Sequence, residues 1–140
     1  MKKKKRYLLG TDIRKLNLYK GVIKMKDTFL TDYEEIVKAG QAYLDSCRCG
    51  DSSVMKSAFH KNATINGNPI QTLFDGVDQA GKSEVKGRID VVDAIGDIAV
   101  IRITMENYFG ENYVDLHLLK KEADGWKILA KAFTGYANDK

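Results

Sequence analysis

Along this chain the spacing of apolar positions changes once, from three or four residues in the first half to two in the second. In "TDYEEIVKAGQAYLDSCRCG", residues 31–50, the side chains of Tyr33, Ile36, Val37, Gly40, Tyr43, Leu44 and Cys47 fall on one stripe of a helix. Thr31 is placed to cap the first free amides while Glu34 reaches back, the capping-box arrangement. Gly50 tolerates the left-handed conformation that ends helices. Asp51 or Ser52 then caps a short second helix through "VMKSAFH", with Val54, Met55, Ala58 and Phe59 inward. "NATING" reads as a short strand running into an Asn66-Gly67 turn. Pro69 opens a third helix, "PIQTLFDGVDQAG", in which Ile70, Leu73, Phe74 and Val77 share a face and Gly81 marks the end.

Beyond Gly81 the period becomes two. "EVKGRIDVVDAIG", "DIAVIRITMENYF", "NYVDLHLLKKE" and "GWKILAKAFTGY" predict four strands, rich in Val, Ile and Tyr and joined by short Gly- and Asp-containing turns. Connections this short favour an antiparallel meander. Three helices followed by such a sheet predict an α+β fold with the helices on one face. A strongly curled sheet would leave a cone-shaped cavity beneath them.

The last hairpin, "YVDLHLLKKEADGWKILAKAF", sets three polar residues into an apolar pattern. A three-residue loop with Gly125 left-handed pairs Glu122 with Trp126. Asp115 then lies opposite Phe133, His117 opposite Lys131 and Leu119 opposite Leu129. Asp115, His117, Lys131 and Phe133 share one face of that ladder. Val114, Leu116, Leu118, Trp126, Ile128, Ala130 and Ala132 make the other face entirely apolar. A two-residue Asp-Gly turn is the alternative, and it moves Lys131 away from His117.

Charge narrows the function classes. The formal net charge is +4, but residues 1–26 hold ten Lys/Arg against Asp12 alone, so the remaining chain is mildly acidic. That body has no basic cluster for phosphate contacts, which argues against nucleic acid. Residues 1–26 are expected to be a loose basic leader, or to precede a true start at Met25, with residues 27–140 forming a single domain. The leader's "YLL" is too short for a secretory signal, and no stretch approaches a membrane span, so a cytoplasmic protein without membrane contact is expected. The "NAT" at Asn62 is then a chance match to a glycosylation acceptor. Cys47 and Cys49 lack a second ligand pair for zinc and are too close for an unstrained disulfide, so free thiols and no metal are expected.

The order "YLDSCRCGDSSVMKSAFHKNATING", "PIQTLFDG" and "IAVIRITMENYFGENYVDLHLLKKEADGWKILAKAF" resembles the nuclear-transport-factor-two-like superfamily. Within it, the chain is similar to the "putative lumazine-binding" family of SnoaL-like proteins, over about residues 28 to 137. The resemblance rests on Gly50-Asp51, Phe59-His60, Asp115 in "YVDLHLL", and Gly125-Trp126-Lys127-Ile128 through Lys131 and Phe133. It implies a cystatin-like, cone-shaped mixed sheet, a homodimer and a ligand-sized pocket. The superfamily includes dehydratases, ketosteroid isomerases, polyketide cyclases and plain binding or assembly domains.

Three functions follow as expectations. The first is a protein holding a small apolar or aromatic molecule in the cone, with Tyr43, Phe59, His60, Phe74, Tyr108 and Phe133 against it. The second is a cofactor-independent dehydratase, isomerase or cyclase. His117 is its general base, Asp115 orients the ring, and Lys131 or Tyr108 stabilises an oxyanion. The third is a non-catalytic dimeric assembly module. Each residue also has a structural reading: an Asp115–Lys131 ion pair with His117 bonded nearby, His60 on a loop carbonyl, the aromatics in the core. Asp75 and Asp78 either reach the cone mouth or lie on a solvated helix face, and Trp126 is core. No phosphate loop, nucleophile elbow or metal signature appears.

Overall fold

The computed structural model describes residues 29–137 together with the backbone of two short strands, β1 (Tyr7–Leu8) and β2 (Thr11–Asp12), which pair antiparallel. The rest of the expected leader, Met25 included, lies outside the described residues. Helix α1 (Leu30–Cys49) is followed by two short 3-10 turns, β3 (Phe59–Ile65), β4 (Asn68–Pro69) and α2 (Gln71–Ala80). Then come β5 (Lys86–Ile95), β6 (Ile98–Tyr108), β7 (Glu111–Glu122) and β8 (Gly125–Tyr136). The strand order is β4-β3-β8-β7-β6-β5. Strands β5 to β8 form the expected antiparallel meander, and β3 joins β8 in parallel, which makes the sheet mixed. The fold is the expected α+β arrangement, with α1 packed on the inner face of the curved sheet.

Helix α1 starts one residue before the predicted capping box. Phe29 is extended, its carbonyl receives the amides of Asp32 and Tyr33 at 2.9 and 3.3 Å, and no side chain caps the end. Thr31 therefore sits inside the first turn. The buried stripe is rotated as well: Asp32, Ile36, Ala39, Gly40, Tyr43, Leu44, Ser46 and Cys47 face inward, whereas Tyr33 and Val37 are exposed. Asp32 is the cause. Its Oδ1 accepts from Trp126 Nε1 at 2.9 Å and from Lys121 Nζ at 2.8 Å, which anchors the first turn to β7 and β8 and offsets burial of the carboxylate.

The expected second helix is not an α-helix. Ser52–Val54 and Lys56–Ala58 are 3-10 turns, closed by amides of Met55 on Ser52 O at 3.1 Å and of Ala58 on Met55 O at 2.9 Å. So short a segment cannot offset helix nucleation. Phe59 and His60 consequently open β3 instead of closing a helix. Pro69 lies in β4, and α2 begins at Gln71. Cys47 is a buried free thiol and Cys49 an exposed one. Among the described residues no helix is long and apolar enough to cross a membrane.

At the final hairpin, Glu122 pairs with Gly125 across Ala123-Asp124, so neither the three-residue loop with Glu122 opposite Trp126 nor the Asp124-Gly125 turn forms, and Trp126 pairs with Lys121 instead. A bulge then shifts the ladder: Leu119 pairs with Ile128, not with Leu129 as expected, while Leu118 pairs with Ala130. The extra residue restores Asp115 opposite Phe133 and His117 opposite Lys131. It also moves Trp126 and Ile128 to the inner face, where they are buried, so the face predicted to be all apolar is broken at the bulge. The polar trio lies on the core side of the sheet. Leu116 and Leu118 face outward beside Val92, Ile95 and Ile98, all exposed.

Candidate functional site

Alternation along β7, and along β8 beyond the bulge, turns Tyr113, Asp115, His117 and Lys131, Phe133 toward the helices. Asp115 is flanked across the sheet by Ile103 and Phe133, and Lys131 by His117 and Ile65. Asp115 Oδ2 lies 3.3 Å from His117 Nε2 and 3.3 Å from Lys131 Nζ, and all three residues are buried. Tyr43 of α1 covers them: its ring is edge-on to His117 at 5.1 Å and lies 5.1 Å from Lys131 Nζ. The Phe133 ring stands 4.2 Å from the same ammonium. Aromatic faces and one carboxylate thus replace the water that a lysine normally keeps.

Burial raises the Asp115 pKa, but the hydrogen bond with His117 and the charge of Lys131 together outweigh it and hold the carboxyl below the ordinary carboxylate range. Burial pushes the His117 imidazole down, so near pH 7 the ring is neutral and its Nε2–H donates to the acceptor-only carboxylate. Burial also pushes the Lys131 amine down, against the pull of Asp115. Tyr43 is raised well above the usual phenol value by burial and by the Asp115 charge, and burial takes Cys47 up to about 11, which leaves that thiol a poor nucleophile. Asp115 Oδ1 and His117 Nδ1 have no hydrogen-bond partner among the described residues.

A cavity of about 140 Å³ opens beside this cluster. Tyr43, Asp115 and Lys131 meet it from within; Tyr108, Tyr113 and Phe133 form one aromatic wall, and Ile65, Leu73 and Met105 complete it. Tyr113 packs edge-on between Tyr108 at 6.3 Å and Phe133 at 5.8 Å. Tyr108 is aimed by an unusual turn, in which Asn107 at φ 61° and Phe109 at φ 51° flank it and the β6–β7 ladder breaks between Met105 and Tyr108. Burial raises the Tyr108 phenol to about 12, so it stays a hydrogen-bond donor at neutral pH.

The predicted residues divide. Tyr43, Tyr108, Asp115, Lys131 and Phe133 line the cavity, whereas His117 does not and stands behind Asp115. Phe59, His60 and Phe74 line a separate depression on the outer flank of β3, shared with the exposed Lys56 and Lys61. Phe59 and Phe74 are core residues in mutual edge contact at 5.8 Å, and His60 Nδ1 accepts the Asn62 amide at 3.0 Å. Asp78 accepts from the Ser52 amide and hydroxyl, both at 2.8 Å, and Asp75 from Gln71; neither lines the cavity. That outer depression is larger, about 420 Å³, but its cations are solvated surface lysines, whereas the cavity converges buried polar groups on an apolar wall. Ile65, Leu73, Met105 and Tyr113 were missed. Tyr113 was within reach of the sequence, because it lies two residues from Asp115 and so on the same face.

The model of the family described as "Putative lumazine-binding" matches residues 31–134. The chain belongs to this family. Members of the wider NTF2-like group share its architecture. One NTF2-like protein of unknown function from Methylobacillus flagellatus KT is 30% identical, with a TM-score of 0.72 over 79% of this chain and 96% of its own. Another, from Shewanella baltica OS155, is 28% identical, with a TM-score of 0.73 over 81% of this chain and 100% of its own. A curated relative, the aldolase FrzH of Cladobotryum sp, is 25% identical over 116 residues, which cover 76% of this chain and 93% of that protein. All three alignments span most of the lumazine-binding-type domain.

Proposed function

We propose that this protein binds a small aromatic or apolar carbonyl compound in the cavity beside Asp115 and Lys131. One observation carries the reading: two buried, oppositely charged side chains end at a cavity whose remaining lining is aromatic and aliphatic. Its volume is close to the ~150 Å³ that accommodates a single six-membered ring in an apolar core. The ring would lie against Tyr113 and Phe133 with its oxygen toward Lys131 Nζ or the Tyr108 hydroxyl. Acetophenone is a suitable probe. Methyl resonances of Ile65, Leu73 and Met105 should shift on titration, and Leu73→Trp, which fills the cavity, should weaken binding at least about tenfold, or 1.4 kcal/mol. Shifts mapping instead to the Lys56–His60 depression would sink the assignment.

Turnover next to the carbonyl is the second reading, favoured by the Asp115–Lys131 pair on the cavity wall and by the resemblance to an aldolase. In it Asp115 touches the substrate and His117 positions Asp115, the reverse of the roles expected from the hairpin alone. An Asp115 held below the ordinary range is a weak general base, so binding leads and proton abstraction follows.

We propose also that the chain forms a homodimer through the outer face of the sheet. Val92, Ile98, Leu116 and Leu118 are 59%, 46%, 50% and 44% exposed on adjacent strands, apolar side chains that a second copy would remove from water. Sedimentation should show a dimer for the native chain and a monomer for Leu116→Lys/Leu118→Lys. A native chain that sediments as a monomer at every concentration would overturn this.

A further inference from the structure

We propose that Lys131 is a nucleophile, forming a covalent imine with an aldehyde or ketone bound in the cavity. The proposal rests on the binding reading above and deepens it by naming the chemistry of the ligand. Among the described residues that line the cavity, Lys131 is the only amine. Its side chain is 3% exposed, yet the residue lines the cavity, and its Nζ lies 3.3 Å from Oδ2 of the one carboxylate there, Asp115. The other titratable groups facing it are Tyr43 across the cavity floor, Cys47 of α1 and His117 at the opposing ladder position.

The steps balance without a cofactor. Lys131 gives one proton to Asp115 and becomes a neutral amine. Its nitrogen lone pair attacks the carbonyl carbon; the carbon–nitrogen bond forms, the carbonyl π pair moves to oxygen, and a proton passes from nitrogen to that oxygen. Asp115 then returns its proton to the hydroxyl, the carbon–oxygen bond breaks, and water leaves. The product is an iminium cation paired with the Asp115 carboxylate. Net charge in the site is therefore the same before and after, so the carboxylate and the rings of Phe133 at 4.2 Å and Tyr43 at 5.1 Å that hold the ammonium also suit the iminium. The desolvation that depresses the Lys131 amine enlarges its attacking fraction, about tenfold for each pKa step of one.

The chemistry is read by trapping with benzaldehyde and sodium cyanoborohydride at neutral pH, followed by peptide mass mapping of the full chain. A benzyl increment should appear on Lys131 at least about tenfold faster than on the exposed Lys56 and Lys61, although a buried amine lacking this role would be the slowest to react. Benzyl alcohol, which fills the same space and cannot form an imine, should protect Lys131 and leave the surface lysines unchanged; Leu73→Trp should do the same. Benzyl alcohol bound in the cavity with Lys131 labelled no faster than Lys56 overturns the imine and leaves the binding reading intact. If neither compound shifts the cavity resonances, the binding reading falls and the imine with it.

Discussion

Gly50→Ala should destabilise the fold by on the order of 4 kcal/mol or more, a large share of the ~5–15 kcal/mol that holds a domain of this size together. Gly50 ends α1 at φ 70°, with its amide on Ser46 O at 2.8 Å. A side chain in the left-handed region costs roughly 1–2 kcal/mol by itself. Here the added carbon would also stand 2.2 Å from the carbonyl carbon and 2.5 Å from the Cα of Gly81, both backbone atoms. Ordinary contact begins at 3.4 Å, so the loop after α2 would have to retreat by more than an ångström. It is not free to do so. Ser83 donates its amide to Arg48 O at 3.0 Å and its hydroxyl to Cys47 O at 2.7 Å, and Ser52 is bound twice to Asp78. Gly67→Ala is the control: φ is 81° there too, but nothing lies within 4 Å, so it should lose only the conformational term. Urea unfolding of the two variants separates strain from collision. Equal midpoints would mean that the contact with Gly81 is soft.

That contact shows where sequence reading stops. The helical end at Gly50 was legible because a glycine after an amphipathic run announces it, but the neighbour that forbids any other residue lies 31 positions away. The same holds for Asp32. In a linear pattern it is one more polar residue in a first turn; only the fold brings Trp126 Nε1 to it and rotates the whole buried stripe. The four-strand meander was legible because a period of two repeated over runs of ten or more residues admits few other arrangements. The pairing of His117 with Lys131 came out as expected through a different route, a tighter turn corrected by a bulge at Leu129, and a bulge leaves no reliable mark on alternation. Which members of the site touch the cavity was not legible. Depth along the cone separates Asp115 from His117, and two residues on one face of one strand have the same periodicity at any depth.

Asp115→Ala should cost about 3–5 kcal/mol at pH 7, because it strands Lys131 as an unpaired buried cation and removes the acceptor of His117 Nε2. The double variant Asp115→Leu/Lys131→Met removes both charges and should be clearly more stable than Asp115→Ala; if the two are equally unstable, the pair is not coupled. The triad also fixes how stability moves with pH. Stability rises with pH wherever the unfolded chain binds more protons than the native one. The native pKa of Asp115 is lowered from 3.8, that of His117 from 6.5 and that of Lys131 from 10.5. Just below each ordinary value the unfolded chain is protonated and the native chain is not, so all three contributions have the same sign in successive windows. Cys47, raised to about 11 from 9.0, and Tyr108, raised to about 12 from 10.0, act oppositely, because above pH 9 the unfolded chain loses those protons first. The unfolding free energy should therefore climb on going from pH 5 to pH 7, with a His117 share of up to about 1.4 kcal/mol per pH unit, and reach its maximum on the alkaline side of neutrality. His117→Gln should flatten the slope between pH 5 and 6.5 and leave the alkaline decline in place. A native chain most stable near pH 5 would show that the buried imidazole is charged, and the neutral ring assigned to His117 would have to be abandoned.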